Sequence, residues 1–151
     1  MEDKINFLLE NAPNIEDEFL SSHLLNYICV LISGYLEQSM QKVIDNYKTS
    51  SHCSTHECKD SIKSMRKIQN VKWCAMREIF MKIDENILGL LKSDLVDKFD
   101  IITCSIDNIV KTRHKIAHGE DVTNLTIETL NADFTNIKQF IQKSEAIFGC
   151  L

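Results

Sequence analysis

The sequence is poor in the residues that interrupt helices. Its 151 residues include one proline and four glycines, the two types on which tight turns depend most. Long stretches are instead rich in leucine, isoleucine, lysine, glutamate, methionine and glutamine, which favour helices. The length suits one domain with one core. We therefore predict a single all-α domain that spans residues 1–151.

The signatures of several common enzyme classes are also missing. The sequence contains no glycine-rich phosphate loop, no G-x-S-x-G turn and no H-E-x-x-H helix. The first of these holds phosphates, the second presents a nucleophilic serine and the third binds zinc. Kinase, α/β-hydrolase and zinc-protease functions therefore gain no support from the sequence.

No apolar run has the length of a typical membrane span. The most apolar stretch, residues 24–36, is interrupted by polar residues and is shorter than the roughly 20 residues that a span needs. The acidic N-terminus lacks the basic start and long apolar centre of a signal peptide. We therefore expect a cytoplasmic protein without membrane attachment, with residues 24–36 in a buried central helix. The six cysteines are then reduced, and Cys29, Cys74 and Cys104 are expected in the core.

The spacing of apolar residues predicts five or six helices. They are expected at 3–11, 15–48, 60–82, 85–92, from Ser93 or Asp94 to Gly119, and at 127–148. The polar segment 49–60 is predicted to be a loop. Pro13 ends the first helix, Asp84 and Thr126 are candidate caps, and Gly119 suits the left-handed turn that ends many helices. Trp73 and the phenylalanines are expected in the core.

The fifth predicted helix carries an arginine on its apolar face. Arg113 lies near the middle of a sector formed by Phe99, Ile102, Ile106, Ile109, Val110, Ile116 and Ala117. An ion pair inside the bundle is one explanation, because an unpaired buried guanidinium is costly. His114 and His118 share the flank of this sector, where the helix dipole alone would favour them.

The same segment has the composition of a phosphate site. Lys111, Arg113 and Lys115 accompany the two histidines, with no carboxylate from residue 111 to residue 118. Guanidinium presents five donors to a phosphate, and imidazole transfers protons near neutral pH. RNA carries its own nucleophile, the 2′-hydroxyl, so its cleavage needs orientation, proton transfer and charge stabilisation. Because the net charge is −5, any attraction for a polyanion must be local.

The segment Arg113-His114-Lys115-Ile116-Ala117-His118-Gly119 resembles the R-x4-H motif of the HEPN superfamily. In that motif a polar residue often follows the arginine, and A-H-G is a frequent ending. The stretch YLEQSMQKVIDNY on the long second helix is similar at Glu37, an acidic position that many members place near the motif. The resemblance implies a HEPN-like helical bundle whose homodimer joins two motifs in one composite cleft.

The resemblance also implies the activity of a metal-independent endoribonuclease without a cofactor. His118 would be the general acid or base, Arg113 would stabilise the phosphoryl oxygens, and His114 would assist. Glu37 would orient Arg113 or His118. The apolar face around Arg113 would then be the subunit interface.

RNA is thus the expected partner, with Lys111 and Lys115 as contacts to its backbone. The resemblance further implies a toxin or phage-defence role with an antitoxin or other protein partner. The alternative is a non-catalytic HEPN-like module that binds proteins or nucleotides, because fold alone does not fix function.

A second group of candidate ligands lies in the stretch SHCSTHEC. His52, Cys53, His56 and Cys58 are all zinc-ligand types. Structural zinc sites usually divide such residues into two pairs that a dozen or more residues separate. We therefore favour a polar loop without metal and keep zinc as the alternative.

Overall fold

The computed structural model describes residues 1–49 and 72–150, which contain six α-helices and no strand. The helices are α1 (Glu2–Asn11), α2 (Glu18–Thr49), α3 (Trp73–Ile83), α4 (Ile87–Leu95), α5 (Phe99–Ala117) and α6 (Ile127–Cys150). Short 3-10 turns follow α1 at Ala12–Asn14 and α4 at Val96–Lys98. The prediction of an all-α bundle is confirmed. The expected loop from residue 50 and the expected helical residues 60–71 lie outside the described residues.

Helix α2 begins three residues later than predicted. Residues 12–14 form a 3-10 turn that contains Pro13, and Asp17 then caps the new helix. The Asp17 side chain accepts a hydrogen bond from the Leu20 amide at 2.9 Å, which satisfies one of the free donors in the first turn. By length and composition, residues 18–47 would also qualify as a membrane span. Core helices of water-soluble bundles meet the same criterion, and α2 packs against both α5 and α6.

Three long helices, α2, α5 and α6, form the centre of the bundle. Tyr35 packs edge-on against Phe134, and Tyr47 against Phe148, so α2 and α6 run parallel. Helix α5 runs antiparallel to α2. Its Ile109 carbonyl lies 3.7 Å from the Cys29 thiol, while Ile116, further along α5, lines the same groove as Leu25, earlier on α2.

An aromatic cluster closes one end of the core. Trp73 contacts the rings of Phe80, Phe99 and Phe140 at centroid distances of 6.4, 5.4 and 5.9 Å. Its backbone amide donates to an Asp107 carboxylate oxygen at 2.8 Å, which ties the start of α3 to α5. The expectation that Trp73 belongs to the core is confirmed.

The boundary between α4 and α5 differs from the prediction. Helix α4 extends to Leu95, and α5 begins at Phe99 rather than at residue 93 or 94. The chain breaks at Val96, whose φ of 40° is in the left-handed region and cannot continue a right-handed helix. Asp84 does not cap α4 directly. Its side chain accepts from the Asn86 amide at 2.7 Å within the preceding turn.

The apolar face of α5 is used inside the chain. Phe99, Ile102, Ile106, Ile109 and Val110 are all buried in the core. The prediction that this face serves as the subunit interface is therefore wrong for most of its length, because it already packs against α2 and α6.

Two other expectations about burial also need correction. Cys29 is buried, but Cys74 and Cys104 are exposed. Phe7 and Phe19 are exposed as well, although phenylalanines were expected in the core.

Candidate active site

A well-formed C-terminal cap ends α5 within the R-x4-H segment. The Gly119 amide donates to the Ile116 carbonyl at 3.1 Å, and the Glu120 amide donates to the Lys115 carbonyl at 3.0 Å. This pair of bonds is the Schellman arrangement, which requires a left-handed residue. Gly119 supplies it with a φ of +70°, as predicted. The cap fixes His118 as the last residue before the chain turns away.

The two histidines of the segment contact each other. The imidazole rings of His114 and His118 lie at a centroid distance of 4.3 Å and an interplanar angle of 62°. Both side chains are exposed. Two imidazoles, the side-chain type suited to proton transfer, are therefore open to solvent one helical turn apart.

Arg113 occupies a different environment from these histidines. It continues the buried face of α5 one turn after Ile109, yet it is only half-buried because the bundle ends here. Within residues 1–49 and 72–150, Arg113 forms no salt bridge or hydrogen bond. In that part of the chain the structure provides no internal carboxylate to account for the charge. The guanidinium donors remain available to an anion.

Two lysines lie near the histidines on the last turns of α5. Lys111 is exposed and Lys115 is half-buried. With 3.6 residues per turn, both lysines fall within about 100° of the histidines around the helix axis. By the same geometry, Arg113 and His118 are five residues apart and diverge by about 140°. A single phosphate therefore does not easily contact both side chains of one copy.

The helix α5 backbone next to Arg113 lies over a buried thiol. Cys29 is fully buried and faces the Ile109 carbonyl. Burial, together with the Asp133 carboxylate, raises the pKa of Cys29 to about 12. The thiol therefore stays neutral at physiological pH and is not a nucleophile.

A groove of about 900 Å³ opens beside the cap of α5. Ile116, Gly119, Glu120 and Asp121 form one wall. The start of α2 and the residues before it form the other, with Glu16, Glu18, Ser22, His23, Leu25 and Asn26. The groove thus lies directly next to the candidate catalytic segment.

A comparison with models of protein families tests the resemblance to the HEPN superfamily that the motif indicated. The model of the RiboL-PSP-HEPN family matches residues 2–148. The chain belongs to the RiboL-PSP-HEPN family. Searches of curated proteins and of solved structures give no significant match.

Glu37 lies within the RiboL-PSP-HEPN match but does not approach Arg113 of the same chain. Measured along the bundle from the Cys29–Ile109 contact, Glu37 lies roughly 12 Å away, toward the C-terminal end of α2. Arg113 is roughly 6 Å along α5 in the opposite direction. Direct orientation of Arg113 by Glu37 would therefore have to occur between two copies.

The alternative zinc ligands His52, Cys53, His56 and Cys58 lie outside the described residues. Across residues 1–49 and 72–150, no group of three or more His, Cys, Asp or Glu side chains has the geometry of a metal site. Zinc binding by the segment around residue 55 therefore stays the alternative to the predicted polar loop without metal.

Sequence reasoning missed the second wall of the groove. Glu16, Glu18, His23 and Asn26 are far from the R-x4-H motif in sequence, and they meet it only because α2 and α5 are antiparallel. Phe19 was also missed, since its type favoured the core. The alternation of polar and apolar residues before residue 24 was the available signal that the start of α2 is not buried all round.

Proposed function

We propose that this RiboL-PSP-HEPN chain is an endoribonuclease that cleaves RNA by attack of the 2′-hydroxyl on the neighbouring phosphate. The observation that carries the proposal is Arg113, a half-buried residue without a carboxylate partner in the described residues, on the same last turns of α5 as two imidazoles that contact each other. A charge kept at the end of an apolar helix face without a partner needs a ligand, and phosphate is the anion that its fork of donors fits best.

The side chains present suit each step of this reaction. One imidazole takes the proton of the 2′-hydroxyl as its oxygen forms a bond to phosphorus. Arg113 stabilises the negative charge that develops on the nonbridging oxygens. The bond from phosphorus to the 5′-oxygen breaks, and His118 or its counterpart donates a proton to that oxygen. The products are a 2′,3′-cyclic phosphate and a free 5′-hydroxyl, and the route requires no metal nucleophile.

A composite site between two copies is the second part of the proposal. It is supported by the divergence of Arg113 and His118 around α5, which a second copy would compensate. Phe7 on α1 and Leu20 and Tyr27 on α2 are exposed. Leu20 and Tyr27 lie about two turns apart on α2 and so share one of its faces, and Lys4 on α1 donates to the Tyr27 hydroxyl at 2.7 Å, which places α1 beside that face. Exposed apolar groups of this kind are typical of association surfaces. The surface formed by Phe7, Leu20 and Tyr27 would replace the buried α5 face as the subunit contact.

In this proposal Lys111 and Lys115 hold the RNA backbone without selecting sequence. The chain would act in the cytoplasm as a toxin or phage-defence nuclease. Because an uncontrolled ribonuclease is harmful to its own cell, a partner protein that masks the site is part of the proposal.

The decisive experiment is cleavage of defined RNAs by purified full-length chain in the presence of EDTA. We expect products that end in a 2′,3′-cyclic phosphate, and no cleavage of a substrate with a 2′-deoxy sugar before the scissile phosphate. Arg113→Ala and His118→Ala should each reduce the rate by roughly 100-fold or more. Arg77→Ala is the matched control, because Arg77 is an exposed arginine on α3 away from the motif.

The oligomer is tested separately by light scattering coupled to size exclusion. We expect a dimer that Leu20→Glu and Tyr27→Glu dissociate, with loss of cleavage although Arg113 and His118 are intact. If RNA stays intact in the presence of wild-type protein, or if Arg113→Ala cleaves as fast as Arg77→Ala, the nuclease proposal is wrong. The non-catalytic binding module then becomes the better description.

A further inference from the structure

The groove beside the cap of α5 differs in charge from the motif that borders it. Glu16, Glu18, Glu120 and Asp121 all line the groove, and none of its lining residues is a lysine or arginine. Residues 111–118, by contrast, include two lysines and an arginine and no carboxylate. A basic surface and an acidic groove thus meet at Gly119, which belongs to the cap and also lines the groove.

Because the groove and the motif carry opposite charge, they favour different parts of a nucleotide. A phosphate inside the groove would face four carboxylates at short range and would be repelled. A nucleobase is uncharged, and its hydrogen-bond donors are attracted to carboxylates. The volume of about 900 Å³ lies within the range of small-molecule sites and accommodates a purine with its sugar.

Carboxylates discriminate strongly among the four bases. Guanine presents two adjacent donors, N1–H and the N2 amine, which match the two oxygens of one carboxylate. Adenine and cytosine each present an amine next to an acceptor nitrogen, and uracil presents one N–H between two carbonyls. An acceptor-only group therefore pairs fully with guanine alone. The Asn26 amide, which also lines the groove, adds donors for the guanine O6 and N7 acceptors.

An aromatic pair stands at the rim of the groove. The ring centroids of His23 and the exposed Phe19 are 4.1 Å apart. The His23 Nδ1 lies within hydrogen-bond distance, 2.9 Å, of the Phe19 carbonyl oxygen. His23 itself lines the groove. Exposed aromatic rings next to a polar pocket are the usual platform on which proteins stack an unpaired RNA base.

We propose that the groove between the start of α2 and the cap of α5 is a guanine-specific base pocket, in which Glu120 or Asp121 pairs with the guanine Watson–Crick edge. The base belongs to a nucleotide next to the scissile phosphate, so the pocket sets the cleavage specificity. This assignment rests on the proposed ribonuclease function for its biological meaning. Guanine binding itself does not require that function.

Nucleoside binding tests the pocket without any cleavage. The full-length His118→Ala chain is titrated with guanosine, inosine, adenosine, cytidine and uridine by calorimetry and by NMR. Guanosine should bind best. Inosine lacks only the N2 amine and should bind roughly 10-fold more weakly, since one hydrogen bond to a charged group is lost. The NMR shifts should include the residues from 119 to 121 and those around residue 23.

Charge-neutral variants locate the site. In the double variant Glu120→Gln/Asp121→Asn, each amide exposes donors to the donors of guanine, so selectivity for guanosine over inosine should disappear. Glu85→Gln/Asp97→Asn is the matched control, because both carboxylates are exposed outside the groove. Melting curves establish that all variants remain folded. The assignment is overturned if Glu120→Gln/Asp121→Asn binds guanosine as before, or if the parent His118→Ala chain binds guanosine and inosine equally.

Mapping of cleavage sites separates this inference from the nuclease proposal. If RNA is cut next to guanosines and the double variant loses that preference, both are supported. If RNA is cut without base preference and guanosine does not bind, the pocket is wrong and the nuclease stands. If guanosine binds selectively but no RNA is cut, the pocket stands and the nuclease fails. Binding of an arginine-rich peptide to the groove residues, together with no binding of guanosine, would instead assign the groove to a basic protein segment and overturn the proposal.

Discussion

The ring of His114 contacts the ring of His118 at a centroid distance of 4.3 Å, so the two imidazoles form one unit at the end of α5. A group that orients or exchanges protons with a catalytic residue gains its effect through that residue. Its loss should therefore matter little once the catalytic residue is gone.

We predict strongly non-additive kinetics for these two histidines. His118→Ala should lower the single-turnover cleavage rate by about 100-fold or more, and His114→Ala by less. The double variant should be no slower than His118→Ala alone within about threefold. Multiplication of the two single effects would show that the residues act independently and would remove the helper role of His114.

Substitution by alanine should change the stability of the fold in opposite directions at Gly119 and at Gly89. Gly119→Ala should destabilise the fold by about 1 kcal/mol, because φ is +70° and L residues avoid this region. No atom would lie within 4 Å of the new Cβ, so the effect is conformational. It should also slow RNA cleavage, since Gly119 fixes the end of the helix at His118.

The matched substitution is Gly89→Ala inside α4. Its Cβ would also meet no atom within 4 Å, and alanine is favoured over glycine in a right-handed helix by about 0.5–1 kcal/mol. Urea unfolding should therefore give a lower midpoint for Gly119→Ala and a higher one for Gly89→Ala. If Gly119→Ala and Gly89→Ala shift the urea midpoint equally and in the same direction, the left-handed cap geometry at Gly119 is wrong.

Val96 stores backbone strain between α4 and α5. Its φ of 40° is unfavourable for a β-branched residue, and its side chain is 67% exposed, so little burial compensates. Val96→Gly should raise the free energy of unfolding by about 1 kcal/mol. Val96→Ala should not, because alanine keeps the same backbone restriction. Thermal melts of the three proteins compare them directly, and an equal gain from alanine would contradict the strain.

Asp133 should make stability depend on pH. Burial raises the pKa of this carboxyl, and a hydrogen bond with Ser105 partly opposes the shift. The folded state thus binds a proton more tightly than the unfolded chain does. In the interval from the ordinary pKa of aspartate, about 3.9, to the raised one, stability should fall as pH rises.

Asparagine cannot ionise and can still accept a hydrogen bond at this position. Asp133→Asn should therefore melt at a higher temperature than wild type at pH 7, and the difference should close as the pH falls below about 4. Asp97→Asn changes an exposed carboxyl and serves as the control. A constant difference between Asp133→Asn and wild type across this range would show that the charge is not the cause.

Local chemistry was sufficient to predict several features from the sequence. The left-handed turn at Gly119 and the cap at Thr126, whose Oγ1 accepts from the Thr129 amide at 3.2 Å, depend on residues close in the chain. The long helices followed from apolar spacing. In the same way, the R-x4-H segment was found because its residues are consecutive.

Features that depend on long-range packing could not be predicted in this way. Nothing in the local sequence distinguishes Val96 as left-handed, because valine is among the residues least suited to that conformation. The groove required the relative direction of α2 and α5, which apolar spacing does not specify. The α5 face was predicted to be a subunit contact from the family resemblance. Apolar spacing could not test that prediction, because it shows that a face is apolar but not which surface covers it.

In the proposed ribonuclease, the position of Arg113 would set stability against activity. It follows Ile109 on the face that the core buries, so a mutation to leucine would extend that core and should strengthen the fold while it disarms the site. A variant with leucine at this position would be inactive but more stable than the parent protein. Under this proposal, selection for RNA cleavage would be what preserves a guanidinium where the fold would favour a hydrocarbon side chain.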